Sequence, residues 1–390
     1  SEETYAHDQN PPLVRQADPD GAETLRAYDD KGQLVAEQSP LGAITEYRYD
    51  EAGRLETRIP AEGEAVHYSY FDGQVRSVRR GKATWKYERN AQGDITEQID
   101  PLGQSTHYRY DARGRLLEIR HPDGSQHLLV WNGQGELIEE QLPGAGIRRY
   151  RYDALGRQIT RQDEHGALTQ YQWDAANRLT QVTLPGGASR AYSYNAYGKV
   201  TSERDEQGRV TRYEYADGLH LVSRRINPDG SQLRYRYDNA RLLLTDIENE
   251  RGEHYRLDYH PNGLISQETG FDGRKTAYRY DLAGHLIEKK EFAEDGSERV
   301  TAYQRDSAGR LLVKTLPDGE QIHYAYDGLG RLVSVDDGQW PLAYSYDLCD
   351  RLIEEHQGWA TLRYEYDALG QLGHCRLPDG SRLDYRYRPG

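Results

Sequence analysis

Along nearly the whole chain, apolar and polar residues alternate over stretches of six or seven positions, each stretch closed by turn-forming residues. Tyr108 and Tyr110 fall on one face and Arg109 on the other; further on, Leu55, Thr57 and Ile59 alternate with Glu56 and Arg58. A period of two over such lengths predicts β-strands too short to be read as helices. Two turn signals separate them. The first, Asp-x-x-Gly-Arg, follows a pair of tyrosines, where Asp bonds nearby backbone and Gly supplies a positive φ. Asn177 and Asp350 stand in that Gly column, and these residue types tolerate the same conformation. The second signal comes about ten residues later, as Pro122-Asp123-Gly124, Pro228-Asp229-Gly230, Pro317-Asp318-Gly319 or Pro378-Asp379-Gly380. Each strand–turn–strand unit therefore reads as a β-hairpin.

The units repeat. Tyr-x-Tyr-Asp begins at residues 47, 108, 150, 235, 278, 324, 344 and 364. Degenerate copies fill the gaps, with Trp131, Trp173, Arg89 and Arg305 in the second-tyrosine column. From Tyr28 to Tyr387 that column marks 18 units, a mean step of 359/17, or 21.1 residues. The widest step, 25, lies between Tyr280 and Arg305, where 291–297 reads as an insertion. The expected fold is all-β: a long antiparallel sheet of about 18 hairpins, some 36 strands. At about 4.8 Å per strand the ribbon would run roughly 170 Å. A twisted sheet of that length curls, and repetition makes it a solenoid. The column two residues after Gly is mostly apolar (Leu116, Leu137, Leu179, Leu286, Leu311, Leu332, Leu352). A polar column (Glu118, Glu139, Gln181, Glu288, Ser334, Glu354) is expected two residues on along the same face. Neither face is then dry enough for half of a sandwich, and a sheet wetted on both sides, wrapped into a spiral or shell, follows.

Composition sharpens this. The 390 residues include 32 Tyr and 39 Gly but no Met, and mean hydropathy is −0.96. That is thin apolar material for a globule of this length, yet far too aromatic for a disordered chain. The net charge of −14, with no Lys/Arg block, speaks against a nucleic-acid partner. No apolar run of membrane-spanning length and no signal peptide is visible. Cys349 and Cys375 occupy unrelated columns and read as free thiols, which suits a reducing cytosol. No Asn-x-Ser/Thr sequon occurs among the nine Asn.

The run Tyr-x-Tyr-Asp-x-x-Gly-Arg-Leu at about 21-residue spacing, with Pro-Asp-Gly between copies, resembles the YD-repeat, or Rhs-repeat, family. It is most like the shell region of bacterial Rhs polymorphic toxins and of Tc toxin C components. The resemblance covers essentially the whole chain. It implies a hollow β-shell, or cocoon, that encloses a C-terminal toxin domain. The implied partners are the rest of the shell and that toxin domain on the same polypeptide, with secretion-apparatus or adaptor proteins beyond it. The implied setting is interbacterial competition by a contact-dependent or type VI secretion route, with the protein in the bacterial cytoplasm before export. The 390 residues are expected to be one continuous array, cut within the repeats at both ends. Leu13 to Gln16 with 18–21 read as the end of an earlier unit, and Tyr385-Arg386-Tyr387 as a unit that stops at Gly390.

No catalytic constellation emerges: Gly-x-Ser-x-Gly, His-Glu-x-x-His, P-loop and Gly-x-Gly-x-x-Gly motifs are absent from the sequence. No catalytic, metal or cofactor residue is assigned. His67, His107 and His323 read as strand residues, Asp100-Pro101-Leu102-Gly103 as a repeat turn, and Asp336-Asp337 as turn aspartates. The residues expected to matter are the columns: Tyr47, Tyr49, Asp50 and Gly53; Tyr108, Tyr110, Asp111 and Gly114; Tyr150, Tyr152, Asp153 and Gly156; Tyr324, Tyr326, Asp327 and Gly330; Tyr364, Tyr366, Asp367 and Gly370. Tyrosines would tie neighbouring strands and glycines would set the turns. The leading reading is a non-enzymatic shell. The rival reading is an extracellular adhesion or carbohydrate-binding array that uses exposed Tyr and Trp as sugar platforms.

Overall fold

A computed structural model describes residues 2–6, 13–216 and 220–387 of the chain, with side chains from Leu13 onward. Gly390, where the last unit was expected to stop, lies outside the described residues. The described residues form 37 strands, from Glu2–Ala6 to Arg382–Asp384, in one antiparallel sheet, with no helix among them. Strands ending on the second-tyrosine column are mostly six residues long, as in Ser105–Tyr110 and Ile147–Tyr152. Their hairpin partners are mostly five, as in Leu116–Arg120 and Gln158–Gln162.

Both turn signals fold into the same five-residue loop. At 50–54 the Asp50 amide donates to the Arg54 carbonyl and the Gly53 amide to the Asp50 carbonyl. At 121–125 the His121 amide donates to the Ser125 carbonyl and the Gly124 amide to the His121 carbonyl. The fourth residue has positive φ, 82° at Gly53, Gly114 and Gly156 and 79° at Gly330 and Gly370. Asn177 and Asp350 adopt it too, at 63° and 64°. Asp100, Asp336 and Asp337 accept backbone amides through their carboxylates, as turn aspartates do. Shorter steps arise where a two-residue loop replaces this turn, as at Asp72-Gly73 between paired Phe71 and Gln74.

The alternation across hairpins differs from the even pattern read in the sequence. Tyr110 pairs with Leu116 and Arg109 with Glu118, so Leu117 is an extra residue in a β-bulge. The bulge recurs in the second strand of the other hairpins, for example between Tyr49–Leu55 and Arg48–Thr57. It moves the leucine column onto the tyrosine face and the polar column onto the opposite face. Leu116 and Glu118 therefore do not share a face, because one extra residue flips every side chain beyond it. On that opposite face the arginine between the tyrosines pairs with the polar column, as in Arg109–Glu118 at 3.1 Å and Arg279–Glu288 at 3.0 Å. The 291–297 segment is also no simple loop insertion. The second strand of one hairpin, Leu286–Phe292, and the first strand of the next, Glu298–Arg305, each have two extra residues, and Glu291–Arg299 and Phe292–Glu298 extend the ladder between them.

There is almost no core. Among the described residues the buried apolar side chains are Ala22, Ala83, Leu142 and Cys375, and no large side chain is fully buried. The accessible surface is 23988 Å²; a 44.8 kDa monomer folded around one core would expose about 15,700 Å².

Two compact units share the chain. The first comprises the described residues up to Thr106 with Asp258–Glu268 and Arg274–Tyr385; the second comprises His107–Leu257 and Thr269–Gly273. In the first, hairpin turns far apart in sequence touch. The Glu64 amide donates to the Gly328 carbonyl at 2.7 Å, and Arg80 Nη2 to the Leu329 carbonyl at 2.5 Å. Ser307 Oγ donates to Glu62 Oε1, 245 residues away in sequence. Gly63 approaches so closely that a Cβ there would stand 3.0 Å from the Gly328 oxygen.

Two turns break the residue rule, one with Leu242 at φ 56° and one with alanine. Ala145 occupies the Gly column with φ 76°, a conformation costing an L-residue about 1–2 kcal/mol. Ala145→Gly should raise stability by about 1 kcal/mol, read as a higher urea midpoint. An unchanged or lowered midpoint would show that the turn is not strained.

Candidate functional site

The recurring element of this molecule is the junction between one hairpin and the next. Within a hairpin the ladder is long, with Arg149–Gln162, Tyr150–Arg161, Arg151–Thr160 and Tyr152–Gln158 in register. Between hairpins it is short: Leu137–Gln141 meets Ile147–Tyr152 through Glu139–Arg149, Glu140–Arg148 and Gln141–Ile147 alone. Leu137, at the bulged start of its strand, is beyond that ladder. Tyr152 from the next hairpin reaches back, and its hydroxyl donates to the Leu137 carbonyl at 2.8 Å.

The same bond recurs along the array. Tyr49 donates to Leu34, Tyr70 to Leu55, Tyr215 to Val200, Tyr237 to Val222, Tyr326 to Leu311 and Tyr366 to Leu352, at 2.6–2.9 Å. Tyr194 bonds Leu179 in the same way. The substitutions in this column keep a donor. Trp131 Nε1 reaches the Leu116 carbonyl and Trp173 Nε1 the Gln158 carbonyl, both at 2.8 Å. Arg89 Nε reaches Val75 at 3.2 Å and Arg305 Nε reaches Leu286 at 2.9 Å. What these side chains share is an N–H or O–H on an extended, flat group.

The turn aspartate and arginine complete the junction. Asp153 Oδ1 accepts the amides of Leu155 and Arg157, and its Oδ2 accepts Arg157 Nε at 2.7 Å. Arg157 Nη1 then crosses to the next hairpin and donates to the Asp174 carbonyl at 2.6 Å. Arg115 reaches Asn132 and Arg178 reaches Asn195 in the same manner. The guanidinium also lies over the next second-column tyrosine: Arg54 over Tyr70 at 4.7 Å, Arg310 over Tyr326 at 4.8 Å and Arg351 over Tyr366 at 4.8 Å. Such cation–π contacts contribute about 0.5–1 kcal/mol each at exposed sites.

The first-column tyrosines sit elsewhere. Tyr47 faces Arg58, Tyr108 faces Ile119, Tyr150 faces Arg161, Tyr324 faces Val335 and Tyr364 faces Cys375. Where the preceding hairpin offers a glutamate the hydroxyl donates to it, Tyr150 to Glu140 and Tyr364 to Glu355, both at 3.0 Å. His67, His107 and His323 lie in strands, as expected. Cys349 and Cys375 are free thiols, half-buried and buried. Among the described residues no group of three or more His, Cys, Asp or Glu is placed to hold a metal ion. No helix there is long and apolar enough to cross a membrane.

Titration follows this geometry. Backbone amides, above all that of the arginine four residues on, hold Asp50, Asp111 and Asp153 below the usual carboxylate range. Burial raises the phenols of Tyr49, Tyr70, Tyr152 and Tyr366. Burial, helped by the bond to Glu355, pushes Tyr364 up to about 12.

Two outcomes follow from the junction. Tyr152→Phe should cost about 1 kcal/mol, the usual net worth of one hydrogen bond, whereas Tyr152→Trp should retain most of it; urea midpoints for the pair decide this. A phenol whose folded value is raised contributes stability that is complete below about pH 10 and lost as pH climbs through the folded value. The sheet should therefore melt between about pH 10 and 12, in step with the phenolate absorbance. Phenolates forming near pH 10 under an intact circular-dichroism spectrum would contradict it.

Comparison with known proteins agrees with this architecture. The RHS Repeat family matches residues 28–65 and 89–126, and the Teneurin YD-shell family matches residues 172–336. Curated relatives include double-stranded DNA deaminase toxin A of Burkholderia cenocepacia, 32% identical over 29% of this chain and 8% of that protein. A probable deoxyribonuclease, RhsA of Dickeya dadantii, is 33% identical over 25% of this chain and 9% of its own. The chain thus spans less than a tenth of the length of these relatives. Similar solved structures include TcdB2-TccC3 without its hypervariable C-terminal region (TM-score 0.56, 17% identity, 96% of this chain and 24% of that one). Another is a Tc holotoxin pore of Photorhabdus luminescens (TM-score 0.56, 16% identity, 93% and 22%). With its hairpin repeat, its junction chemistry and these matches, the chain belongs to the YD-repeat, or Rhs-repeat, family.

Proposed function

We propose that this chain is part of the wall of a bacterial Rhs-type toxin, a hollow shell that encloses a toxin effector until delivery. The observation that carries the reading is the sheet without a core. Four buried apolar side chains cannot hold a globule together, whereas junction bonds repeated along the array can hold a wall with water on both sides. In this reading the tyrosine, aspartate and glycine columns are the wall's fasteners, and the chain itself performs no chemistry. The DNA deaminase and deoxyribonuclease activities named for the relatives would belong to other parts of those much longer proteins. The chain's charge of −14 suits such a cargo, since enzymes that act on DNA carry basic surfaces. Containment is steric: a hydrated wall offers the effector little apolar surface to adhere to. The protein would be made in the cytoplasm and exported by a contact-dependent or type VI route.

Limited proteolysis of the full-length toxin tests this. The effector should resist a protease that rapidly degrades it as a free domain, and weakening the wall by Tyr-to-Phe changes at several junctions should expose it. An effector cleaved at the free-domain rate inside the intact toxin would exclude containment.

A further inference from the structure

Five hairpins carry arginine three residues before the second-column tyrosine, on the face away from the tyrosines: Arg149, Arg212, Arg234, Arg256 and Arg363. Each meets one residue of the preceding hairpin in register, and that residue decides whether its charge is matched. Arg149 faces Glu139 and Arg363 faces Glu354, and both pairs close at 3.2 Å. Arg212 faces Ser202, which offers no charge. Arg234 faces Arg224, whose own guanidinium is held by Glu214. Across its own hairpin Arg234 faces Glu248, which Arg236 takes at 3.3 Å. Arg256 faces Asp246, whose carboxylate is occupied by His254 Nδ1 at 2.9 Å. Among the described residues Arg212, Arg234 and Arg256 therefore make no ion pair, and all three are exposed.

These three arginines belong to successive hairpins, in Val210–Tyr215, Gln232–Tyr237 and His254–Tyr259. The step from one to the next is two strand spacings, so they stand in a row at intervals of roughly 10 Å. The same column holds Ala191 before the row and Ala277 after it, which confines the row to three. For the sheet alone the arrangement is costly, because like charges directly opposite, as at Arg224 and Arg234, destabilise a strand pair. Three unmatched cations in line, on a chain of net charge −14, make a local site for an anionic partner. The spacing selects its kind. A polypeptide in the polyproline II conformation brings every third side chain to one face, at steps of about 9.3 Å. A nucleic-acid strand fits worse: no Tyr, Trp or Phe stands beside these arginines on this face to stack on a base. Its phosphates would also run past the row over an acidic chain.

We propose that Arg212, Arg234 and Arg256 form a docking row for an acidic segment of a partner protein. The segment lies across the strands in the polyproline II conformation, with a carboxylate at every third residue. Each carboxylate takes one guanidinium and supplies the charge that Glu139 and Glu354 supply to Arg149 and Arg363. Arg224 and Arg236 keep their own glutamates, so three charges match the row.

Fluorescence anisotropy with a dye-labelled Glu-Pro-Pro repeat peptide tests this on the whole chain. The peptide should bind, and more weakly as salt rises, because the pairs it makes are open to solvent. The triple change Arg212→Gln, Arg234→Gln and Arg256→Gln should weaken binding about tenfold or more. Arg149→Gln with Arg363→Gln, which touches only the matched arginines of the same column, should leave it intact. Without peptide, Arg234→Gln should hold or raise the urea midpoint, since it removes a like-charge contact. A lowered midpoint would make Arg234 a residue of the sheet's own structure and overturn the assignment. Circular dichroism checks that each variant keeps its sheet. The proposal also fails if the repeat peptide does not bind, or if the two sets of arginine changes weaken binding equally. It fails as well if a peptide of the same composition with its glutamates in one block, or an oligothymidylate, binds as tightly.

Discussion

Everything in this protein depends on a hydrogen bond made where the sheet would otherwise come apart. Strands of neighbouring hairpins share only a short ladder, and the bulge carries the leucine carbonyl past its end. That carbonyl then faces the next hairpin with no backbone partner in register, and an extended side chain with a terminal donor closes the gap. Each bond contributes little, about 1 kcal/mol. Their sum is distributed along the array, as expected for a molecule whose repeats contact mainly their neighbours. The aspartate that shapes the turn and the arginine that pairs with it serve the same junction, since the Arg178 guanidinium bonds its own turn at Asp174, the Asn195 carbonyl of the next turn and the face of Tyr194.

Much of the fold was legible because turn chemistry and alternation are local. Asn177 and Asp350 identified the positive-φ position before any geometry was known, and the Asp-x-x-Gly-Arg and Pro-Asp-Gly signals both became the same five-residue loop. The bulge was not legible. Leu116 and Glu118 look like residues of one face until Leu117 is recognised as unpaired in register, and nothing in a single hairpin's residue types separates a bulged strand from a regular one. The column substitutions were a signal within reach. Tyr, Trp and Arg have little in common except a donor at the end of a flat side chain, and phenylalanine, the nearest shape to tyrosine, is missing from the column.

The contacts between distant turns stand at the other extreme. Glu62, Gly63 and Glu64 resemble any polar loop, and their partners at Ser307 and Gly328 are set by how far the sheet twists at each strand. That is an accumulated quantity, and no local motif encodes it. The proposed function sits at this level as well. A wall is recognised by what it lacks, and a missing core shows only when the whole chain is considered together.

The hairpin of 25-residue step suggests how such an array tolerates change in length. Two residues were added to each strand of Leu286–Phe292 and Glu298–Arg305, so every side chain beyond the addition kept its face. Where a two-residue loop replaces the five-residue turn, the ladder simply closes one pair later, with the same result. Growth by matched pairs at the rim lengthens the ladder of a junction and keeps its fastener, here Arg305 on the Leu286 carbonyl, whereas a single added residue inside a strand would turn the fasteners of that hairpin to the wrong side. Foreign segments should therefore be accepted at the turns and rejected between them, which makes the rim the natural place for this lineage to acquire new parts.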